Sequence, residues 1–117
     1  MGKILVICGN RDRQGELMNI LKQHAADVKC YDRTSDLNGT VAHNIEGVDL
    51  ILLSLAGEAD APWDLWVLRH RFCTPIVVEL DVDTPERAYN MLIWGAYDIF
   101  TGDEDVWDVI TRVINSQ

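Results

Sequence analysis

The chain has 117 residues, 48% of them hydrophobic, and a formal net charge of −9. That length supports one core and is too short for two, while the acidity argues against broad binding to nucleic acid, whose phosphates reward a basic face. No run approaches the ~20 apolar residues of a membrane helix, and no basic-then-apolar secretory signal opens the sequence, so one soluble, cytoplasmic domain is expected.

Ile4-Leu5-Val6-Ile7 is a continuous apolar run, the mark of a strand buried on both faces of a parallel sheet. After Asn10, Leu17, Ile20, Leu21 and Ala25 recur at helical spacing and predict a first helix reaching Ala26. A brief second strand covers Val28 to Tyr31. Leu37, Val41 and Ile45 keep an i, i+4 stripe, but Asn38-Gly39 interrupts it, which predicts a short or irregular second helix. Val48 to Leu55 is the longest apolar run and the predicted central strand.

A third helix is predicted over Pro62 to Arg71, and Thr74-Pro75 introduces a strand over Ile76 to Leu80, proline being acceptable at a strand's start. Thr84-Pro85-Glu86 opens a fourth helix with a capping hydroxyl, a proline at the first helical position and an acid near the positive dipole end. Ala88, Met91, Leu92 and Gly95 are its predicted core side. A short strand follows, and Asp103-Glu104-Asp105 begins a fifth helix with Val106, Val109, Ile110, Val113 and Ile114 on one side. Alternating strands and helices imply a doubly wound, five-stranded parallel α/β sheet of flavodoxin-like type, with its ligand crevice beyond the carboxyl ends of the strands.

The segment Trp94-Gly95-Ala96-Tyr97-Asp98-Ile99-Phe100-Thr101-Gly102 resembles the helix, Gly-Ala, strand, Thr-Lys-Pro signature of bacterial response-regulator receiver domains. The resemblance extends by order and spacing over nearly the whole chain, and implies a single receiver-like (βα)5 domain over 1–117. Such a domain also occurs as the N-terminal part of longer regulators, with an output domain after the fifth helix.

Mapped residue by residue, the resemblance puts Cys8 and Gly9 where the family carries a magnesium-binding acidic pair, and Ser54 at the phosphorylated aspartate. Leu80, to within one residue, takes the place of the hydroxyl that reports phosphorylation. Ile99 takes that of the switch aromatic, with Phe100 adjacent, and Gly102 that of the lysine. Phosphoryl transfer to a carboxylate needs a nucleophilic oxyanion, a hard cation on oxygen ligands and a fixed positive charge. Cys8, Gly9, Ser54 and Gly102 supply none of these. The expectation is an atypical, phosphorylation-independent receiver without enzymatic activity, cofactor or metal, in which Asp12, Glu79 or Asp81 could compensate only for a single loss.

Cys8 followed by Gly9-Asn10-Arg11-Asp12-Arg13 has a superficial likeness to cysteine phosphatases and phosphocarriers, but the arginine falls one residue early and the loop has one glycine. Cys8, Cys30 and Cys73 suit neither a disulfide framework nor zinc spacing, and each is expected to be a buried, reduced thiol. Arg11 and Arg13 flank the crevice either as solvated loop charges or as an anion site for phosphate or nucleotide, which makes a small-anion sensor the competing class. Arg69-His70-Arg71 places positive charge at the end of a helix, where it complements the dipole without needing a ligand. Tyr89, Ile93 and Trp94, with Trp107 beside the stripe of the fifth helix, lie on helical faces the core does not need. In receivers the face of the fourth helix, fifth strand and fifth helix is the usual dimerisation and partner surface. A homodimer or partner protein is expected there, serving signal transduction or transcription regulation.

Overall fold

The computed structural model describes residues 2–24, 27–32, 47–55, 62–81 and 84–116. In chain order these form β1 (Lys3–Cys8), α1 (Arg11–Lys22), β2 (Asp27–Tyr31), β3 (Val48–Ser54), α2 (Pro62–Arg71), β4 (Ile76–Leu80), α3 (Pro85–Ile93), β5 (Asp98–Thr101) and α4 (Val106–Asn115). The helices α2, α3 and α4 correspond to the predicted third, fourth and fifth. The predicted second helix, over 37–45, lies outside the described residues.

The five strands form one sheet in the order β2-β1-β3-β4-β5, every pair parallel. The central strands are largely apolar because helices cover both of their faces. On one face Leu5, Ile7, Ile51, Leu53, Ile76, Val78 and Leu80 pack with Leu65 and Leu68 of α2 and Met91 of α3. On the other, Ile4, Val6, Leu50, Leu52, Val77 and Phe100 pack with Leu17 and Leu21 of α1 and Val106, Val109, Ile110 and Val113 of α4. Full burial of each large aliphatic side chain contributes roughly 1.5–3 kcal/mol, so these two layers dominate the stability.

Helix starts follow their caps. Asn10 Oδ1 accepts from the Arg13 amide at 3.0 Å, Thr84 Oγ1 from the Arg87 amide at 3.3 Å, and Asp105 Oδ1 from the Trp107 and Asp108 amides at 2.9 and 3.2 Å. The last cap corrects the predicted start of the final helix: Asp105 is the capping residue, and Asp103 and Glu104 precede it in a turn. α1 ends at Lys22, four residues earlier than predicted. The chain must reverse before Asp27 joins β1 opposite Lys3, and a helix continued to Ala26 would leave nothing for that turn.

Leu92 is a second correction. The buried side chain of α3 is Met91, and Leu92, one residue on, turns to solvent. The chain leaves α3 through Gly95 at φ +116, a left-handed conformation that costs glycine little. A β-carbon there would lie 2.9 Å from Cγ of Arg69, whose side chain crosses from α2.

Candidate functional site

At the carboxyl edge of the sheet, Cys8, Ser54, Glu79 and Phe100 lie side by side on β1, β3, β4 and β5, each in register with the next. Register partners on parallel strands share a face, and this is the face under α1 and α4. Among the described residues Ser54 and Glu79 are the buried polar side chains, Glu79 only 1% exposed. An isolated carboxylate there would be costly, since burial penalises an unpaired charge by several kcal/mol or more.

Arg13 supplies the compensation. Its Nε donates to Glu79 Oε1 at 2.9 Å and to Oε2 at 3.1 Å, and its Nη2 donates to Oε2. The remaining nitrogen, Nη1, donates to Glu16 Oε2 at 2.9 Å. Ser54 Oγ donates to Glu79 Oε1 at 2.7 Å, so the carboxylate receives a guanidinium on one side and a hydroxyl on the other. The hydrogen bond to Glu79 holds the Arg13 guanidinium above its ordinary pKa, burial opposes this, and the attraction of Glu79 and Glu16 adds to the rise. Among the described residues no buried side-chain nitrogen or oxygen lacks a partner.

This arrangement takes Arg11 and Arg13 out of the loop expected from the sequence and sets each against a carboxylate. Both stand in the first turn of α1. Arg13 has each of its three guanidinium nitrogens donating to a carboxylate, Nε and Nη2 to Glu79 and Nη1 to Glu16. Arg11, its side chain 83% exposed, faces Asp32 at 3.6 Å. An exposed pair of that kind is worth little.

The other mapped positions are placed as follows. Cys8 is buried, and its thiol donates to the Asn10 carbonyl at 3.4 Å; Gly9 is an exposed bend. Leu80 is buried on the opposite face against α2 and α3, so the neighbour that Ser54 meets on β4 is Glu79. Ile99 is partly buried on that opposite face, while Phe100 is fully buried beside Glu79. Gly102 is exposed, and a side chain added there would enter open space.

Of the thiols, Cys8 is buried, Cys30 half-buried and Cys73 exposed, which corrects the expectation that all three are interior. Cys73 follows the end of α2 and precedes β4, outside the apolar run. Burial, with Cys8 and Asp32 nearby, pushes the Cys30 thiol up to about 11.

The apolar face on α3 is present. Tyr89 and Ile93 are 65% and 62% exposed, and Leu92, Trp94 and Tyr97 extend the same exposed set. Tyr97 donates its hydroxyl to Ser116 Oγ at 2.7 Å, since that serine hydroxyl itself donates to the Val113 carbonyl. Trp107 belongs elsewhere. It is half-buried against the α1–α4 layer and stacks on His24, just beyond α1, with ring centroids 4.5 Å apart and planes 12° apart. The seam between α1 and α4 already occupies it.

The pairing of Arg13 with Glu79 was missed in the sequence, where 66 positions separate the two. One signal was available: a glutamate inside Ile-Val-Val-Glu-Leu, a run otherwise fit for burial, needs a cation from somewhere.

Comparison with solved structures gives one consistent result. A two-component response regulator from Clostridium difficile superposes with a TM-score of 0.78 at 20% identity, covering 97% of this chain and 93% of that one. The N-terminal receiver domain of RstA from Klebsiella pneumoniae gives 0.76 at 23% identity, over 95% and 94%. A response regulator from Thermotoga maritima gives 0.80 at 14% identity, over 98% of both chains. The fold is the receiver fold. No protein-family model matches the chain, and no curated protein sequence matches it. Among the described residues of this receiver-like chain, no helix is long and apolar enough to cross a membrane.

Proposed function

We propose that this receiver-fold domain regulates signal transduction, transcription regulation included, through protein contacts and without phosphorylation. The observation that carries the reading is the occupied carboxyl edge: a guanidinium, a carboxylate and a hydroxyl satisfy one another where a receiver's resemblance would call for acceptor, metal ligands and lysine. A neutral serine hydroxyl is a weaker nucleophile than a free carboxylate, the Glu79 carboxylate beside it is engaged at both oxygens by Arg13, and Gly102 carries no charge to steady a transferred phosphoryl group. Regulation then falls to surfaces, and most of the exposed large apolar side chains among the described residues lie on α3 or just after it, with a second copy of the chain or another protein as partner.

Incubation with acetyl phosphate and magnesium, followed by intact mass measurement, tests the first half of the reading. The expected result is an unchanged mass and unchanged tryptophan emission. Incorporation of one phosphoryl group that is lost on mutation of the carboxyl edge defeats the proposal.

A further inference from the structure

β4 reads Ile-Val-Val-Glu-Leu and is buried along its whole length. A charge in such a strand is an expensive choice, because a buried pair rarely outperforms apolar residues of the same volume. The geometry around Glu79 shows what the carboxylate holds. Its two oxygens accept from Nε and Nη2 of one guanidinium, a planar two-pronged contact that an ammonium could not reproduce, and Ser54 orients Oε1 from the opposite side. The guanidinium comes from the first turn of α1, and the same residue's amide is bound by the Asn10 cap at 3.0 Å. Arg13 is thus fixed at both ends, by its backbone to the cap and by its side chain to the sheet.

We propose that Glu79 and Ser54 form a guanidinium seat, and that Arg13 is its tethered occupant, fastening the first turn of α1 over the ends of β3 and β4. The seat is specified by shape as well as by charge. Its ligand class is a planar cation with adjacent N–H donors. Occupancy of the seat, rather than helix propensity, holds the start of α1, since Leu17 and Leu21, its buried residues, lie in the later turns. This inference does not depend on the protein-contact function proposed above.

Arg13→Ala empties the seat and leaves room for a small cation. Thermal unfolding and amide exchange are then followed with methylguanidinium, and with methylammonium at equal ionic strength. The parent midpoint is expected to be indifferent to both. In R13A, exchange of the amides at positions 13 and 14, the two that Asn10 holds, should rise on the order of tenfold or more, and methylguanidinium should raise the midpoint saturably while methylammonium does little. R13A/E79Q should not respond. Should R13A alone be unfolded, the reading becomes recovery of near-ultraviolet circular dichroism and tryptophan emission on adding methylguanidinium, with Arg13→Lys as a folded comparison that keeps the charge and loses the fork. An equal response from R13A/E79Q, or an R13A variant with parental exchange in the first turn, overturns the proposal.

Discussion

Ser54 and Glu79 stand opposite one another on neighbouring parallel strands, and the register turns both toward α1, so the serine hydroxyl reaches the carboxylate at 2.7 Å. A carboxylate at position 54 would meet another carboxylate rather than open space. Ser54→Asp is therefore expected to destabilise the domain by several kcal/mol, because two buried anions would share the single guanidinium of Arg13. The double variant S54D/E79Q should recover most of the loss, the new amide on β4 donating to the new carboxylate on β3. Urea denaturation of the three proteins checks this, and equal stability of S54D and parent would remove the coupling between the two positions.

The exposed face of α3 carries a prediction about assembly. Burial of a large apolar side chain between subunits is worth ~1.5–3 kcal/mol, so Tyr89, Ile93 and their neighbours can together hold a two-fold contact. Ile93→Asp should weaken self-association by about tenfold or more, since a charge in a dry contact is costly. The fold should be untouched, because Ile93 is exposed within its own subunit. Sedimentation velocity over a range of concentrations reads the change, and a parent that stays monomeric throughout refutes self-association at this face.

The thiols should separate chemically. Cys73 is exposed, Cys30 half-buried and Cys8 buried, so alkylation is expected in that order. Cys30 carries the pH dependence. Its thiol ionises near 9 when unfolded and at about 11 when folded, so above 9 the unfolded chain releases the proton first and gains stability relative to the fold. Stability from this group is complete below pH 9 and declines as pH rises toward 11. Cys30→Ser should flatten that decline in denaturation curves recorded across the window, and an unchanged slope would assign the decline to other groups.

Gly95 offers a backbone test. Its φ of +116 strains any residue with a β-carbon, and that carbon would meet Arg69 Cγ at 2.9 Å. Gly95→Ala should cost ~1–3 kcal/mol, more than helix propensity would suggest. Combining it with Arg69→Ala separates the two causes: the steric part should be relieved and the conformational part should remain. Full recovery in the double variant would leave no place for backbone strain.

The sequence was most legible where one physical rule acts alone. The run Val48 to Leu55 had to be a strand covered on both faces, Pro62 to Arg71 matched α2 at both ends, and the cap at Thr84 placed the start of α3. It was least legible where a distant partner decides. Helical spacing kept Ala25 in register with Leu21, yet the demand that Asp27 pair with Lys3 ended α1 earlier. Leu92 fitted a core stripe as well as Met91 did, and the sheet's position selected Met91. At the carboxyl edge the departures from the receiver pattern were readable one by one at Cys8, Ser54 and Gly102. What replaced them was not, because Arg13 and Glu79 become neighbours only when the sheet sets β4 beneath the start of α1.

The stack of His24 on Trp107 makes the docking of α1 on α4 an optical quantity. An indole lying against an imidazole emits differently from one facing water, so parting of the two helices changes emission with no label attached. Trp66 lies against His70 within α2, away from that seam. A Trp107→Phe difference spectrum isolates the seam signal from it. Stopped-flow fluorescence can then time the release of α1 independently of the rest of the sheet.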